Sequence, residues 1–246
     1  MKSIAVVTST IGRPLLEETI QSVIAQTRSA RHYVFVHGVE FWDKAKVILD
    51  KYPDVTALYL PNNNGNNGYG MAPVFAMAGF VVAEDVVCYL DDDNWYEANH
   101  LETTVGLLEK HDLDWVFALR NIVDADGSFI MEDNCESLGY FPSAAGHYLV
   151  DNSCFVVKVE HARLLGVAWY TPTISDRSFL NALLTHKLKA GTTGLHSVNY
   201  RLSNDGSGGL LLKNMHILND DAVKSHQGIL PWKQESILTH EENNES

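Results

Sequence analysis

The chain opens with Ile4-Ala5-Val6-Val7-Thr8-Ser9-Thr10, a β-rich run stopped by Gly12 and Pro14. Leu15, Leu16, Thr19, Ile20, Val23 and Ile24 then return at helical spacing. This pattern predicts a strand, a polar loop and a helix. The same alternation continues with a strand over residues 32–37, a helix over 41–49 ended by Tyr52-Pro53, and a strand over 55–60. An Asn- and Gly-rich stretch, residues 62–70, is too dense in turn formers for regular structure and predicts a surface loop, with a helix over 71–82 behind it. Val86-Val87-Cys88-Tyr89-Leu90 is a fourth strand, apolar throughout, that runs directly into Asp91-Asp92-Asp93-Asn94. A helix carrying Leu101, Val105 and Leu108 follows. Strands alternating with helices through short links predict an α/β protein with a mostly parallel central sheet, flanked by helices on both faces.

Beyond Asp114 the pattern changes. Residues 115–123 read as a strand, Asp124-Ala125-Asp126-Gly127 as a hairpin turn into 128–131, and residues 152–157 and 195–202 as further strands. Helices are predicted over 159–165 and 175–188, the latter with Phe179, Leu180, Leu183 and Leu184 inward. The expected organisation is one domain over 1–233, with halves 1–95 and 96–233 and a smaller mixed sheet in the second half. A polar tail over 234–246 is expected to fray. Asn204-Asp205-Gly206-Ser207-Gly208-Gly209 lacks the lysine and the strand-to-helix setting of a phosphate loop and is expected to be mobile.

Composition narrows the function. With 46% hydrophobic and 20% charged residues among 246, the chain can fill a substantial core and is too apolar for disorder. Eighteen Lys and Arg against 31 Asp and Glu give a net charge of −13, a poor match for nucleic acid. No apolar run reaches the ~18–20 residues of a membrane span, and the first residues form no signal core, so a cytoplasmic protein is expected. Cys88, Cys135 and Cys154 lack metal-ligand spacing and read as reduced thiols.

Chemistry concentrates in the acidic triplet. Ligands of open α/β sheets bind outside the carboxyl ends of strands, where Asp91, Asp92 and Asp93 are expected to sit. Adjacent carboxylates repel unless a cation neutralises them, and oxygen ligands of this kind suit Mg²⁺ or Mn²⁺. In extended chain residues i and i+2 share a face, so Asp91 and Asp93 are expected at one site with Asp92 turned away.

The first strand with Gly12-Arg13-Pro14, and then Leu90-Asp91-Asp92-Asp93-Asn94-Trp95 some eighty residues later, resembles the nucleotide-sugar glycosyltransferases of the GT-A fold, especially family 2. The likeness extends through Leu164-Leu165-Gly166 to Ser175-Asp176-Arg177-Ser178-Phe179-Leu180, where family members open a helix with Glu-Asp, and covers roughly residues 4–202. It implies a metal-dependent inverting transfer of a sugar from a nucleoside-diphosphate sugar, a UDP-sugar first of all, to a hydroxyl acceptor that is a glycan, lipid-linked or a small molecule. By the same resemblance Thr8, Thr10 and Arg13 line the base and ribose pocket, and Gly68 and Gly70 let backbone approach the nucleotide. Asp91 contacts ribose or metal, Asp93 holds the metal, and Asp176 is the general base. His196 is the candidate third metal ligand, with His216 and His226 as substitutes.

Three departures stand out. His37-Gly38 stands where the family often ends the second strand with an acid that reads the base, which makes His37 the candidate nucleotide contact there; Phe75-Ala76 replaces an Arg-Asn pair, and Asn94 replaces an acid. Read without the family, Asp176 is a helix N-cap. Trp95, Tyr140, His147, Trp169 and Tyr170 are aromatic or imidazole groups suited to a sugar face as well as to a core. Two other functions fit the same residues: a sugar nucleotidyltransferase, whose glycine- and lysine-rich loop is missing after the first strand, and a non-catalytic nucleotide- or sugar-binding module.

Overall fold

A computed structural model describes residues 1–134, 149–203 and 207–238, apart from the side chains of 207–211. Cys135, Tyr140, His147, Asn204-Asp205-Gly206 and the last eight residues of the tail lie outside the described residues.

The first half is a repeated strand–helix unit: β1 (Ile4–Thr10), α1 (Leu16–Ile24), β2 (Arg31–His37), α2 (Trp42–Leu49), β3 (Thr56–Leu60), α3 (Ala72–Val81) and β4 (Val86–Tyr89). β5 (Trp95–Tyr96), α4 (His100–Lys110), β6 (Trp115–Val123), β7 (Phe129–Glu132), β8 (Phe155–Lys158), α5 (Val159–Leu165), α6 (Ser175–Thr185), β9 (Ala190–Arg201), α7 (Ser207–Ser225) and β10 (Ser236–Leu238) complete it. One sheet runs in the order β10-β9-β6-β8-β4-β1-β2-β3, with β5 and β7 attached at its side to β9 and β6. β3, β2, β1 and β4 are mutually parallel; β8 is antiparallel to both β4 and β6, and β9 is parallel to β6. The predicted second-half sheet is therefore the mixed continuation of the same sheet. Register makes it so: Cys88 of β4 pairs with Val156 of β8, which also pairs with Val116 of β6.

Both faces of the parallel strands are covered, which is why these strands read as apolar runs. On β2, Val34 and Val36 pack with Leu16, Ile20, Ala45 and Ile48 of α1 and α2. Tyr33 and Phe35, one residue out of phase, face the larger core that holds Phe75, Ala162 and Phe179 of α3, α5 and α6. Trp169 and Phe179 stack there with centroids 4.4 Å apart, and Trp169 is fully buried. Losing such a side chain costs about 3–5 kcal/mol. Trp169 is thus core, not a sugar-stacking surface. Cys88 and Cys154 are buried thiols without a disulfide. Gly12 makes the turn from β1 to α1 at φ +72°, and a Cβ there would lie 2.9 Å from the Ala45 backbone nitrogen, so only glycine lets α2 pack this close.

Three expectations are corrected. The segment from Ser207, expected to be mobile, opens the nineteen-residue α7, whose Met215 and Ala222 are buried while Ile217 faces outward. Ser236–Leu238, expected to fray, pairs antiparallel with residues 190–192 and so covers the exposed edge of β9. Finally, the acidic triplet is a turn rather than extended chain, since the Asn94 N–H donates to the Asp91 carbonyl at 3.3 Å.

Candidate functional site

Because β1, β2 and β4 are parallel, their carboxyl ends share one edge of the sheet, and there a cleft of about 420 Å³ opens. Its wall combines Ser9, Thr10, Ile11 and Arg13 after β1, His37 at the end of β2, and Asn63, Gly65, Asn66, Gly70 and Met71 of the Asn-rich loop. Asp91, Asp92, Asp93, Tyr200, Arg201 and Ser203 close it.

The turn brings all three aspartates into the wall of this cleft, because the two-residue alternation of a strand does not apply within it. Asp92, expected to face away, is buried in the cleft wall: the Thr10 hydroxyl donates to it at 2.6 Å and the Arg13 guanidinium at 3.3 Å. Burial nevertheless pushes its carboxyl up to about 6, outweighing Arg13 and Thr10. Arg13 also donates to Asp93 at 2.7 Å. Its own pKa is raised: partial burial works against the charge, but Asp92, Asp93 and Asp91 together outweigh it. Among the described residues, Asp91 has no cationic partner. The Asn152 amide donates to both its oxygens, at 2.8 and 2.9 Å. Burial first, then the charges of Asp93 and Asp151, hold the Asp91 carboxyl well above the usual range. Asp91 and Asp92 thus resist ionisation side by side, and such perturbed groups gather at functional sites.

The acidic turn is tied in from both sides. The Thr19 hydroxyl donates to the Asn94 carbonyl at 2.8 Å, and the Arg201 backbone N–H donates to the Asn94 side-chain oxygen at 3.0 Å. Asn94, standing where relatives carry an acid, is therefore a buried latch between the turn and β9. Arg201 donates from Nε to the Asp93 carbonyl at 3.2 Å and lies over the Trp95 ring, 4.7 Å from its centroid, so one face of Trp95 carries an arginine. Next to the turn, Asp151 is buried and ion-paired with Arg120, which also holds Asp133 at 2.8 Å. The Asp151 carboxyl is raised by burial, against the pull of Arg120.

Other expected residues are placed as follows. His37 lines the cleft; its Nε2 accepts from the Asn64 N–H at 3.0 Å, and burial lowers its pKa. Gly70 lines the cleft too, at φ +51°. Gly68 does not: a Cβ there would lie 3.0 Å from the Thr173 methyl, so its glycine serves packing against the loop before α6. The Gly68 carbonyl accepts from the Thr173 N–H at 2.9 Å, and Tyr69 stacks on Tyr170 with centroids 4.6 Å apart. Thr8 is absent from the cleft wall as well. Its side chain turns into the sheet interior, where its hydroxyl meets the His32 ring at 3.0 Å, because successive residues of a strand face opposite ways.

His196 is not brought to the carboxylates. One ring nitrogen lies 3.4 Å from the Asp133 carbonyl and the other 3.8 Å from Glu132, and burial lowers its pKa. Its substitutes fare no better as ligands: the His226 ring packs edge-on against Trp232, and His216 lies on α7 away from the cleft wall. Among the described residues, no three His, Cys, Asp or Glu side chains converge as metal ligands. Asp176 sits in the first turn of α6 but is not its N-cap, which is Ile174 without a side-chain cap. Its carboxylate accepts from the Arg177 N–H at 2.8 Å, and its charge contributes to raising Asp151. Sequence reasoning missed Asn152, Tyr200 and Arg201 as site residues. Their only local signal was polarity inside or beside predicted strands.

A half-parallel sheet with a polar cleft at the carboxyl ends of β1, β2 and β4, floored by an acidic turn, defines the nucleotide-diphospho-sugar transferase class, the GT-A architecture. The comparisons agree. Residues 3–157 match Glycosyl transferase family 2, and the chain belongs to that family. A Haemophilus influenzae protein described only as uncharacterized is 28% identical over 123 residues, covering 43% of this chain and 81% of its own. Among solved structures, residues 1–349 of S. aureus TarS in complex with UDP-GlcNAc superpose with a TM-score of 0.61 at 12% identity, over 85% of this chain and 61% of that one. The UDP complex of the same protein gives 0.59 at 14%, over 87% and 64%. The chain therefore spans less than two thirds of the TarS structures it matches, and at these identities the likeness is one of fold. No described helix is long and apolar enough to cross a membrane.

Proposed function

We propose that the protein is a metal-dependent, inverting glycosyltransferase that moves one sugar from a nucleoside-diphosphate sugar to a hydroxyl acceptor. The observation that carries this reading is Asp91: a half-buried carboxylate within electrostatic reach of Asp93 and Asp151, with an amide as its partner, in the wall of a cleft at the strand ends. A divalent cation relieves that repulsion. Family membership favours transfer over nucleotide-sugar synthesis or simple binding, and the UDP and UDP-GlcNAc complexes of TarS favour a UDP-sugar as donor. Buried, reduced Cys88 and Cys154 favour a cytoplasmic setting.

The residues fit a hard cation. Asp91 and Asp93 would hold Mg²⁺ or Mn²⁺ through one or two carboxylates, with diphosphate and water filling the other positions, the usual arrangement for such ions. When bound, the ion neutralises charge on the departing diphosphate. Arg13, with its side chain half exposed, is free to exchange Asp93 for a phosphate oxygen. Thr10 and Asn152 keep Asp92 and Asp91 from turning out of the cleft. His37 and Asn63 line the part of the cleft left for the nucleoside. Asp176 takes the proton of the acceptor hydroxyl as that oxygen attacks the sugar on the face opposite the diphosphate.

The test is a melting series with UDP, GDP, CDP and ADP, each with and without Mn²⁺. A ligand at a hundred times its Kd adds about 2.7 kcal/mol, a rise of roughly 5–10 °C for a chain of this size. Stabilisation by one nucleoside diphosphate that disappears in chelator is the expected result. Failure of all four to stabilise the protein in Mn²⁺ would overturn the reading.

A further inference from the structure

We propose that Tyr200 is a catalytic residue whose phenolic O–H donates a hydrogen bond to the diphosphate leaving group; this rests on the transferase reading above. Tyr200 is the penultimate residue of β9, paired with Ile122 of β6, and its ring lines the cleft next to the acidic turn. The Arg120 guanidinium covers the ring 4.3 Å from its centroid, which fixes the plane of the phenol while Arg120 itself is anchored on Asp133 and Asp151. Its hydroxyl makes no hydrogen bond to any described residue, although it lies within electrostatic reach of Asp91, Asp93 and Asp151. A donor that leaves three nearby carboxylates unengaged is available to an incoming acceptor. Burial raises the phenol pKa, so the group stays protonated and donates.

Its position selects the ligand atom. Asp91 and Asp93 lie on the side proposed for the cation and diphosphate, and Asp151 leads toward Asp176, whose charge it senses. Because Tyr200 lines the same cleft wall as Asp91 and Asp93, its hydroxyl is assigned to the diphosphate held there. In the step, the acceptor oxygen bonds to the sugar carbon and its proton passes to Asp176. The sugar–oxygen bond breaks with its electron pair retained by the diphosphate, whose charge rises. Tyr200 keeps its proton, and its hydrogen bond strengthens as that charge develops, which is what makes the contact catalytic.

Tyr200→Phe removes the donor and keeps the ring beneath Arg120, so the fold is expected to hold. Calorimetry on wild type and variant uses UDP, GDP, CDP and ADP with Mn²⁺, and the nucleoside of whichever diphosphate binds. The variant should lose roughly 10–100-fold in diphosphate affinity, the range for a hydrogen bond to a charged group, with nucleoside affinity unchanged. Equal diphosphate affinity in the two proteins, or an equal loss for the nucleoside, would overturn the role of Tyr200 while leaving the transferase reading intact. Wild type that binds none of the four diphosphates would overturn both. Tyr200→Leu, which removes ring and hydroxyl together, should lose at least as much; full affinity in that variant would also refute the proposal.

Discussion

Asp92 offers a direct measurement of what the acidic turn costs the fold. Its carboxyl stands at about 6 in the folded chain against an ordinary 3.8, because it is buried and Arg13 and Thr10 only partly compensate. Between about pH 4 and 6 the folded state retains a proton that the unfolded chain has released. The folded protein thus binds more protons, and stability falls as pH rises through this window. A gap of about two pH units corresponds to ~3 kcal/mol, fully present as stability below pH 4 and lost above pH 6. Asp92→Asn imitates the protonated form and can still accept from the Thr10 hydroxyl. At pH 7.5 it should therefore be more stable than wild type by up to about 3 kcal/mol, a rise in Tm of roughly 6–12 °C for a chain of this length. Near pH 4 the two should unfold alike. Urea titrations followed by tryptophan fluorescence across pH 4–8 measure the difference. A stability gap that does not change with pH would refute the linkage argument, and a variant less stable at pH 7.5 would show that the Arg13–Asp92 ion pair outweighs burial. A more stable Asp92→Asn protein at pH 7.5 is the result expected where a charge serves a ligand rather than the fold.

Asp176→Asn should leave Tm within a few degrees, since Asp176 is not the cap of α6, while transfer falls about 10²–10⁴-fold; wild-type turnover at saturating substrates would move the base to another carboxylate, Asp151 first. Asn152→Ala strips Asp91 of both amide contacts and should weaken binding of the stabilising nucleoside diphosphate with Mn²⁺ by roughly tenfold, checked by calorimetry. Asp93→Ala should abolish the Mn²⁺-dependent part of nucleotide stabilisation while the protein still folds, read by melting curves with and without chelator.

Much of the fold was legible because a parallel strand covered on both faces must be apolar along its whole length. Ile4 to Val7 and Val86 to Leu90 could be little else, and their burial is complete or nearly so. The place of the acidic triplet followed from the same logic, since a buried strand that turns suddenly acidic has reached the sheet edge. What escaped were features decided by tertiary pairing. β10 is three residues long and exists because Gly191 leaves room beside its partner strand. α7 was hidden behind Ser207-Gly208-Gly209, where turn formers masked the apolar spacing of Leu212, Met215, Leu218 and Ala222.

The site divides along the same line. Asp91, Asp93, Thr10, Arg13 and His37 line the cleft and sit close to strand ends in sequence, and Gly70 lines it from the Asn- and Gly-rich loop, so local pattern finds them. Asn152, in the turn before β8, and Tyr200 and Arg201 at the end of β9 arrive from 59 to 108 residues beyond the triplet, and no window on the chain shows where their side chains point. Their arrival changes the electrostatics. From sequence, three carboxylates shared one need for a cation. In the folded chain Arg13 answers for Asp92 and Asp93, whereas Asp91 has an uncharged amide and two acidic neighbours. The demand for positive charge therefore concentrates on Asp91. Neutralising Asp91 should then reduce the preference for divalent cation more than neutralising Asp92 does, although the two are adjacent in the chain.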